Sequence, residues 1–235
     1  MTRIIWTAFL AIVAVLAVGA QIDRAARRQP ALAVVVPAPF RNFAQESMTL
    51  ATVRSSEPSA ALAEARALVS RSPVPAEHLT LLAIAEERNG DRADSAKLIQ
   101  RAAQRGWRDP IAQQAMFDIS LGAGDPVEAS HRLAALWALQ EDQAPLKDMA
   151  QRLMSRPEGR KALAESLVAG GSWTGSFQRS VAADPTPEAV ETLDLALRGG
   201  ATLDCNLAAL LKAAYKAKAV RSDAALLEKC SRKRG

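Results

Sequence analysis

One dipeptide returns at a fixed interval. Gly90-Asp91 recurs 34 residues later as Gly124-Asp125, and the same step backwards lands on the polar turn pair Ser56-Glu57. The small residues Ala61, Ser95 and Ala129 share the interval, as do the apolar sets Ala65, Ile99, Leu133 and Leu68, Ala102, Leu136. Within each unit the three positions fall at i, i+4 and i+7, which places them on one face of a helix. Glycine in the intervening turn can adopt a positive φ, so the repeating unit reads as two helices joined by a tight turn. A unit this short cannot bury its apolar face alone and must stack on copies of itself.

The period and its small-residue phasing resemble the tetratricopeptide repeat. That resemblance implies an all-α fold, a right-handed α-solenoid of antiparallel helical hairpins, with an inner groove built from the first helices of successive units. The repeat-packing residues are then Ala61, Ser95, Ala129, Leu68, Ala102 and Leu136, with Gly90 and Gly124 in the turns. In the second unit Leu79, Leu82, Ala83 and Glu86 form the inward face of the first helix. Ala83 meets the family's small position, but Glu86 stands where an aromatic is usual and the closing proline is delayed to Pro110. The third unit, with Ala112, Ala115 and Met116 before its turn, follows the pattern best. Composition agrees with helices: 49% of residues are hydrophobic but only 4% aromatic, and alanine lets helices approach closely.

Ile4 to Ile22 carries no charge over 19 residues, which at about 1.5 Å per residue nearly crosses a ~30 Å hydrocarbon layer. Two readings compete. The length of the run and Trp6 near one end favour an uncleaved transmembrane anchor over residues 1–28, whereas Val18-Gly19-Ala20 before Gln21 fits a signal-peptidase cut. Arg24, Arg27 and Arg28 follow the span and only Arg3 precedes it, a balance that by itself keeps the body in the cytoplasm. The short basic head before an apolar run, and the cysteines below, favour a periplasmic body on a single-pass inner-membrane anchor. Residues 29–41 hold Pro30, Pro37 and Pro39 and read as an extended linker, with Val34 to Phe40 laid on the first hairpin. Phe43, Met48 and Leu50 open that hairpin's first helix.

The helical-repeat domain then covers residues 42–235, regular over 42–140 and irregular over 141–235. In the irregular part, helices are expected over Leu146 to Met154, Gly159 to Val168, Phe177 to Ala183 and Glu188 to Leu197. In the last hairpin Leu211, Tyr215 and Ala224 repeat the family's apolar, aromatic and small residues. Cys205 and Cys230 lie 13 and 12 residues from position 218, almost symmetric about its turn. In an antiparallel pair such residues come level, and these are the only two cysteines, so a disulfide and an oxidising compartment are expected.

No constellation for catalysis, cofactor or metal binding is evident, and no enzyme is expected. His78 and His131 have no second ligand at a metal spacing and read as surface or half-buried helix residues. The charge of +5 spreads 30 basic residues among 25 acidic ones, so no nucleic-acid partner is expected; only Lys229, Arg232, Lys233 and Arg234 cluster. The function expected is a membrane-anchored scaffold holding a protein or peptide partner in the repeat groove, in assembly of a bacterial envelope, export or secretion complex. The alternative is a soluble periplasmic or secreted helical-repeat protein in envelope-polysaccharide or cell-wall processing, including as an enzyme. For sugar stacking it would have Trp107, Trp137, Trp173 and Tyr215.

Overall fold

The computed structural model describes residues 2–139, 144–223, 225–228 and 230–231, with backbone alone at Thr2, Ala144, Cys230 and Ser231. It is all-α apart from one two-residue strand pair, with twelve α-helices among the described residues. The chain divides into two compact units, residues 1–106 and 107–235.

The first unit comprises α1 (Thr2–Ala26), two 3-10 turns (Pro30–Val35 and Ala38–Phe40), α2 (Phe43–Ser55), α3 (Pro58–Arg71), α4 (Ala76–Arg88) and α5 (Arg92–Arg105). Helix α1 is apolar and long enough to cross a membrane, and nearly all of its apolar stretch is exposed. Its end, however, is packed into the unit. Gly19 lies so close to the Phe40 ring that an added Cβ would stand 2.7 Å from it, and Ala26 is buried with Ala33, Val36 and Ala44. The buried Asp23 carboxylate accepts the backbone N–H groups of Asn42 (3.0 Å), Phe43 (3.2 Å) and Ala44 (2.9 Å). Asn42 itself makes no side-chain cap, so α1 supplies the cap that the start of α2 lacks.

Two local expectations are corrected here. The proline-rich segment is not extended: it makes two 3-10 turns that tuck Ala33 and Val36 inward and leave Val34 and Val35 exposed. Helix α2 begins at Phe43, as expected, and buries Ala44, Gln45, Thr49 and Val53, with Met48 packed beside Ala44. His78 is buried, its Nδ1 2.7 Å from the Ser72 carbonyl.

Gly90 closes α4 with φ +94°, its N–H donating to Glu87 O while the Asp91 N–H reaches back to Glu86 O at 2.9 Å. The next residue then opens α5, since Asp91 Oδ1 accepts the Asp94 N–H at 3.0 Å. The dipeptide is therefore a helix stop and a helix start in two residues. Gly124-Asp125 repeats it: φ +76°, Asp125 N–H to Ser120 O at 2.9 Å, and Asp125 Oδ1 accepting from Glu128 N–H at 3.0 Å. Glu86, where an aromatic is usual in the resembling family, is buried on α4 and paired with Arg66 of α3 at 2.9 Å.

Arginines in the last turns of α3, α4 and α5 recur every 17 residues, half the sequence period, and each donates to backbone carbonyls about one unit earlier. Arg71 reaches Ala38 O (3.0 Å) and Arg41 O (2.9 Å); Arg88 reaches Val53 O and Ser56 O; Arg105 reaches Pro73 O. A basic side chain there also suits the negative end of its own helix.

The second unit runs α6 (Pro110–Gly122), α7 (Pro126–Leu139), α8 (Ala144–Met154), α9 (Pro157–Ala169), α10 (Thr174–Ala183), α11 (Pro187–Arg198), β1 (Leu203–Asp204), α12 (Cys205–Ala217), a 3-10 turn (Leu226–Glu228) and β2 (Cys230–Ser231). Helices α3, α6, α7, α9 and α11 all begin on proline, which costs nothing where the N–H groups are unpaired anyway. Helix α7 packs on α6, α8 and α9, and α9 packs on α11. Where α7 meets α9, buried Ser130 and Ser166 share a hydrogen bond of 2.9 Å, small side chains that let the backbones approach.

Ala129 is fully buried in this core with Phe117 and Leu133. Ala129→Trp therefore has no space to occupy, and overpacking is expected to cost about 3 kcal/mol. Thermal unfolding of the full chain in detergent checks this; an unchanged midpoint would contradict the packing.

After Ala217 no second α-helix forms among the described residues, so the expected terminal hairpin is corrected. Instead the chain returns to lay β2 alongside β1 in parallel, Leu203 opposite Cys230 and Asp204 opposite Ser231. Buried Gln178 steadies this corner, its Nε2 donating to Thr202 O at 2.9 Å. The Cys230 side chain, Ala224 and the basic residues Lys229, Arg232, Lys233 and Arg234 lie outside the described residues, so the expected Cys205–Cys230 disulfide has no described geometry.

Candidate functional site

The core of the second unit is centred on three aromatic rings. Trp137 of α7 stacks on Trp173 at 6.3 Å between centroids and meets the edge of Phe177 of α10 at 5.2 Å, and Trp173 and Phe177 lie 6.3 Å apart. Offset stacking and edge contacts of this kind add about 0.5–1.5 kcal/mol per pair beyond burial.

Two of these rings, Trp137 and Phe177, floor an open groove of about 270 Å³ between α8 and α10. Trp137, Met154, Phe177 and Val181 are its buried apolar base, while Lys147, Asp148, Gln151, Asp184 and Thr186 stand along its rim. The rim is ordered by hydrogen bonds: Thr186 caps α11 by accepting the Ala189 N–H at 3.2 Å, and its hydroxyl donates to Gln151 Oε1 at 3.3 Å. Gln151 Nε2 in turn donates to Glu188 at 3.4 Å. The Glu188 carboxyl is held below its ordinary range, first by a backbone N–H at the start of α11 and then by Gln151. Asp184 is paired with Lys218 at 3.3 Å. An apolar floor under a mixed-charge rim is suited to holding an apolar side chain of a polypeptide.

A second cavity, about 650 Å³, is lined by Glu191, Asp194, Arg198, Lys218 and Arg221. Its polar groups serve structure. Asp194 Oδ2 accepts the Asp223 N–H at 3.1 Å, and Arg198 pairs with Asp223 at 3.0 Å, so together they hold the chain beyond α12. Burial raises the Asp194 carboxyl above its ordinary range.

Each repeat-packing residue has a place in the interior: Ala61, Leu68, Ser95 and Ala102 in the first unit and Ala129 and Leu136 in the second are all buried, and Gly90 and Gly124 have positive φ. None of them lines the α8–α10 groove. Of the residues that do, Trp137 was named from sequence for sugar stacking and Phe177 only as the start of a helix. Trp137, Trp173 and Tyr215 are buried, and only Trp107 is exposed, at 50%. This corrects the sugar-stacking expectation, since a buried ring face is already covered by protein. Trp137 and Phe177 are 40 residues apart in the chain, so only spatial packing reveals their association. Compared with family models, curated proteins and solved structures, the chain matches none.

Proposed function

We propose that this protein is a membrane-anchored scaffold that holds a protein or peptide partner in the α8–α10 groove, and that it serves in assembly of a bacterial envelope, export or secretion complex. The observation that carries this reading is the groove itself, an aromatic floor beneath a rim of fixed polar and charged groups. Helices α8 and α10 are the first members of successive pairs in chain order, which agrees with a tetratricopeptide-like, right-handed solenoid of antiparallel hairpins. In this reading α1 is a single-pass inner-membrane anchor, the body lies in the periplasm, and Cys205 and Cys230 form a disulfide. The bound segment inserts an apolar side chain between α8 and α10, above the buried Trp137 and Phe177. A basic neighbour on that segment would face Asp148 on the rim, since Asp184 is already paired with Lys218.

The test is a photoreactive residue placed at Lys147 in the full chain, in its native membrane, beside a control at Lys161, which is exposed on α9. A defined adduct is expected at position 147 and not at 161. Ser180→Arg, which fills the groove from α10, is expected to lower that adduct at least about tenfold, the effect of losing one well-packed anchor, with little change in thermal midpoint. Equal adducts at both positions, or an adduct indifferent to Ser180→Arg, would remove the support for this site.

A further inference from the structure

A different cavity opens in the first unit where α1 leaves its apolar run. It measures about 810 Å³ and is lined by Gln21, Arg24, Ala25, Arg27, Arg28, Gln29 and Phe43. Three of those seven side chains are guanidinium groups and none is a carboxylate. The nearest acid in the sequence is Asp23, but it is turned away from them, buried against α2 with its oxygens already accepting three backbone N–H groups. The arginines are therefore not neutralised by their own helix neighbour. Arg27 is steadied by the Phe43 ring, its guanidinium carbon 5.4 Å from the centroid, and the α2 wall carrying Phe43 is fixed to α1 through Asp23.

The height of this cavity is set by helix geometry. With a rise of about 1.5 Å per residue, Arg24 stands about 3 Å and Ala26, the last residue of α1, about 6 Å beyond Ile22, and Arg27 and Arg28 lie in the turn that follows. The polar layer of a bilayer extends roughly 5–8 Å beyond the hydrocarbon on each side, so the end of α1 with Arg24 lies within it and Arg27 and Arg28 follow in the adjoining turn. Planar guanidinium forks bind phosphate oxygens in pairs, and a cluster of them beside a membrane helix attracts anionic lipid. The geometry points to a binding site for the phosphate group of an anionic membrane lipid, formed by Arg24, Arg27 and Arg28 against Phe43. It rests on the membrane-spanning reading of α1. A lipid is favoured over free phosphate because the groove opens directly at the end of the exposed apolar helix, where a headgroup arrives with its acyl chains along α1.

The full chain is reconstituted into vesicles of phosphatidylcholine alone and of phosphatidylcholine with a minority of phosphatidylglycerol. Resistance to alkaline extraction from both vesicles reports insertion, independently of headgroup. After mild detergent extraction, native mass spectrometry counts the retained lipids. Phosphatidylglycerol is expected to be retained over phosphatidylcholine at least about tenfold, given roughly 1 kcal/mol per basic residue before screening. The variant Arg24→Gln, Arg27→Gln, Arg28→Gln is expected to lose that preference while keeping its insertion and thermal midpoint, and Arg3→Gln to keep it. No preference in the unsubstituted protein, or a preference that survives the triple substitution, overturns the site. Saturation by millimolar inorganic phosphate, with loss of the retained lipid, would reassign it to a free anion. A chain that inserts into neither vesicle instead sinks the spanning reading.

Discussion

Trp137→Ala is expected to cost the second unit about 3–5 kcal/mol, enough to lower its thermal midpoint by more than about 10 °C. Trp137 is 2% exposed and is the one ring of the aromatic trio supplied by α7, stacked on Trp173 and edge-on to Phe177. Truncation removes its transfer free energy and both ring contacts, and it leaves a void that the rigid helices around it cannot close. Leu133, Leu153, Leu163 and Leu193 are all buried at 0% exposure in the same core, so collapse into the space would disturb several helices at once. Trp137→Phe preserves most of the apolar area and should lose less than half as much. The measurement is hydrogen exchange of the α7 and α10 amides alongside thermal unfolding. A midpoint within about 2 °C of the starting protein would show that the aromatic trio is not the centre of the unit. Because Trp137 also floors the groove, the same substitution should abolish the adduct at position 147.

The second large effect lies at the C-terminal end of α1. Asp23→Ala leaves the N–H groups of Asn42, Phe43 and Ala44 without their acceptor, in a place where Ala44 is fully buried. Loss of a charged cap and the stranding of buried donors together are expected to cost about 2–4 kcal/mol. Asp23→Asn keeps one acceptor oxygen and a similar shape, so roughly half of that loss is expected. The observable is protease sensitivity of residues 29–41 in the full chain, which should rise strongly in Asp23→Ala while α5, at the far end of the unit's sequence, stays protected. Unaltered cleavage would mean that α2 does not depend on α1 for its first turn.

This coupling bears on the choice between anchor and cleaved signal. A cut after Ala20 would remove Gly19, the surface on which the Phe40 ring rests, and would leave a new terminus two residues from Asp23. The last two turns of α1 are thus part of the packing of the first unit.

What the sequence determined by itself is local. Helix formation, the proline starts and the double role of Gly90-Asp91 and Gly124-Asp125 depend on groups within about six residues of one another, where backbone geometry and turn chemistry are legible without any fold. The uncharged run of α1 is legible for the same reason. The 17-residue recurrence of Arg71, Arg88 and Arg105 was also written in the chain, but its use, donation to carbonyls about 30 to 35 residues earlier, was not. Tertiary structure alone decided the rest. Asp23 meets residues 42–44, Trp137 meets Phe177, and Leu203 pairs with Cys230, each across a chain separation that no periodicity encodes. Such contacts depend on which faces remain uncovered once the helices have packed, and that is why the groove, unlike the turns, became visible only in three dimensions.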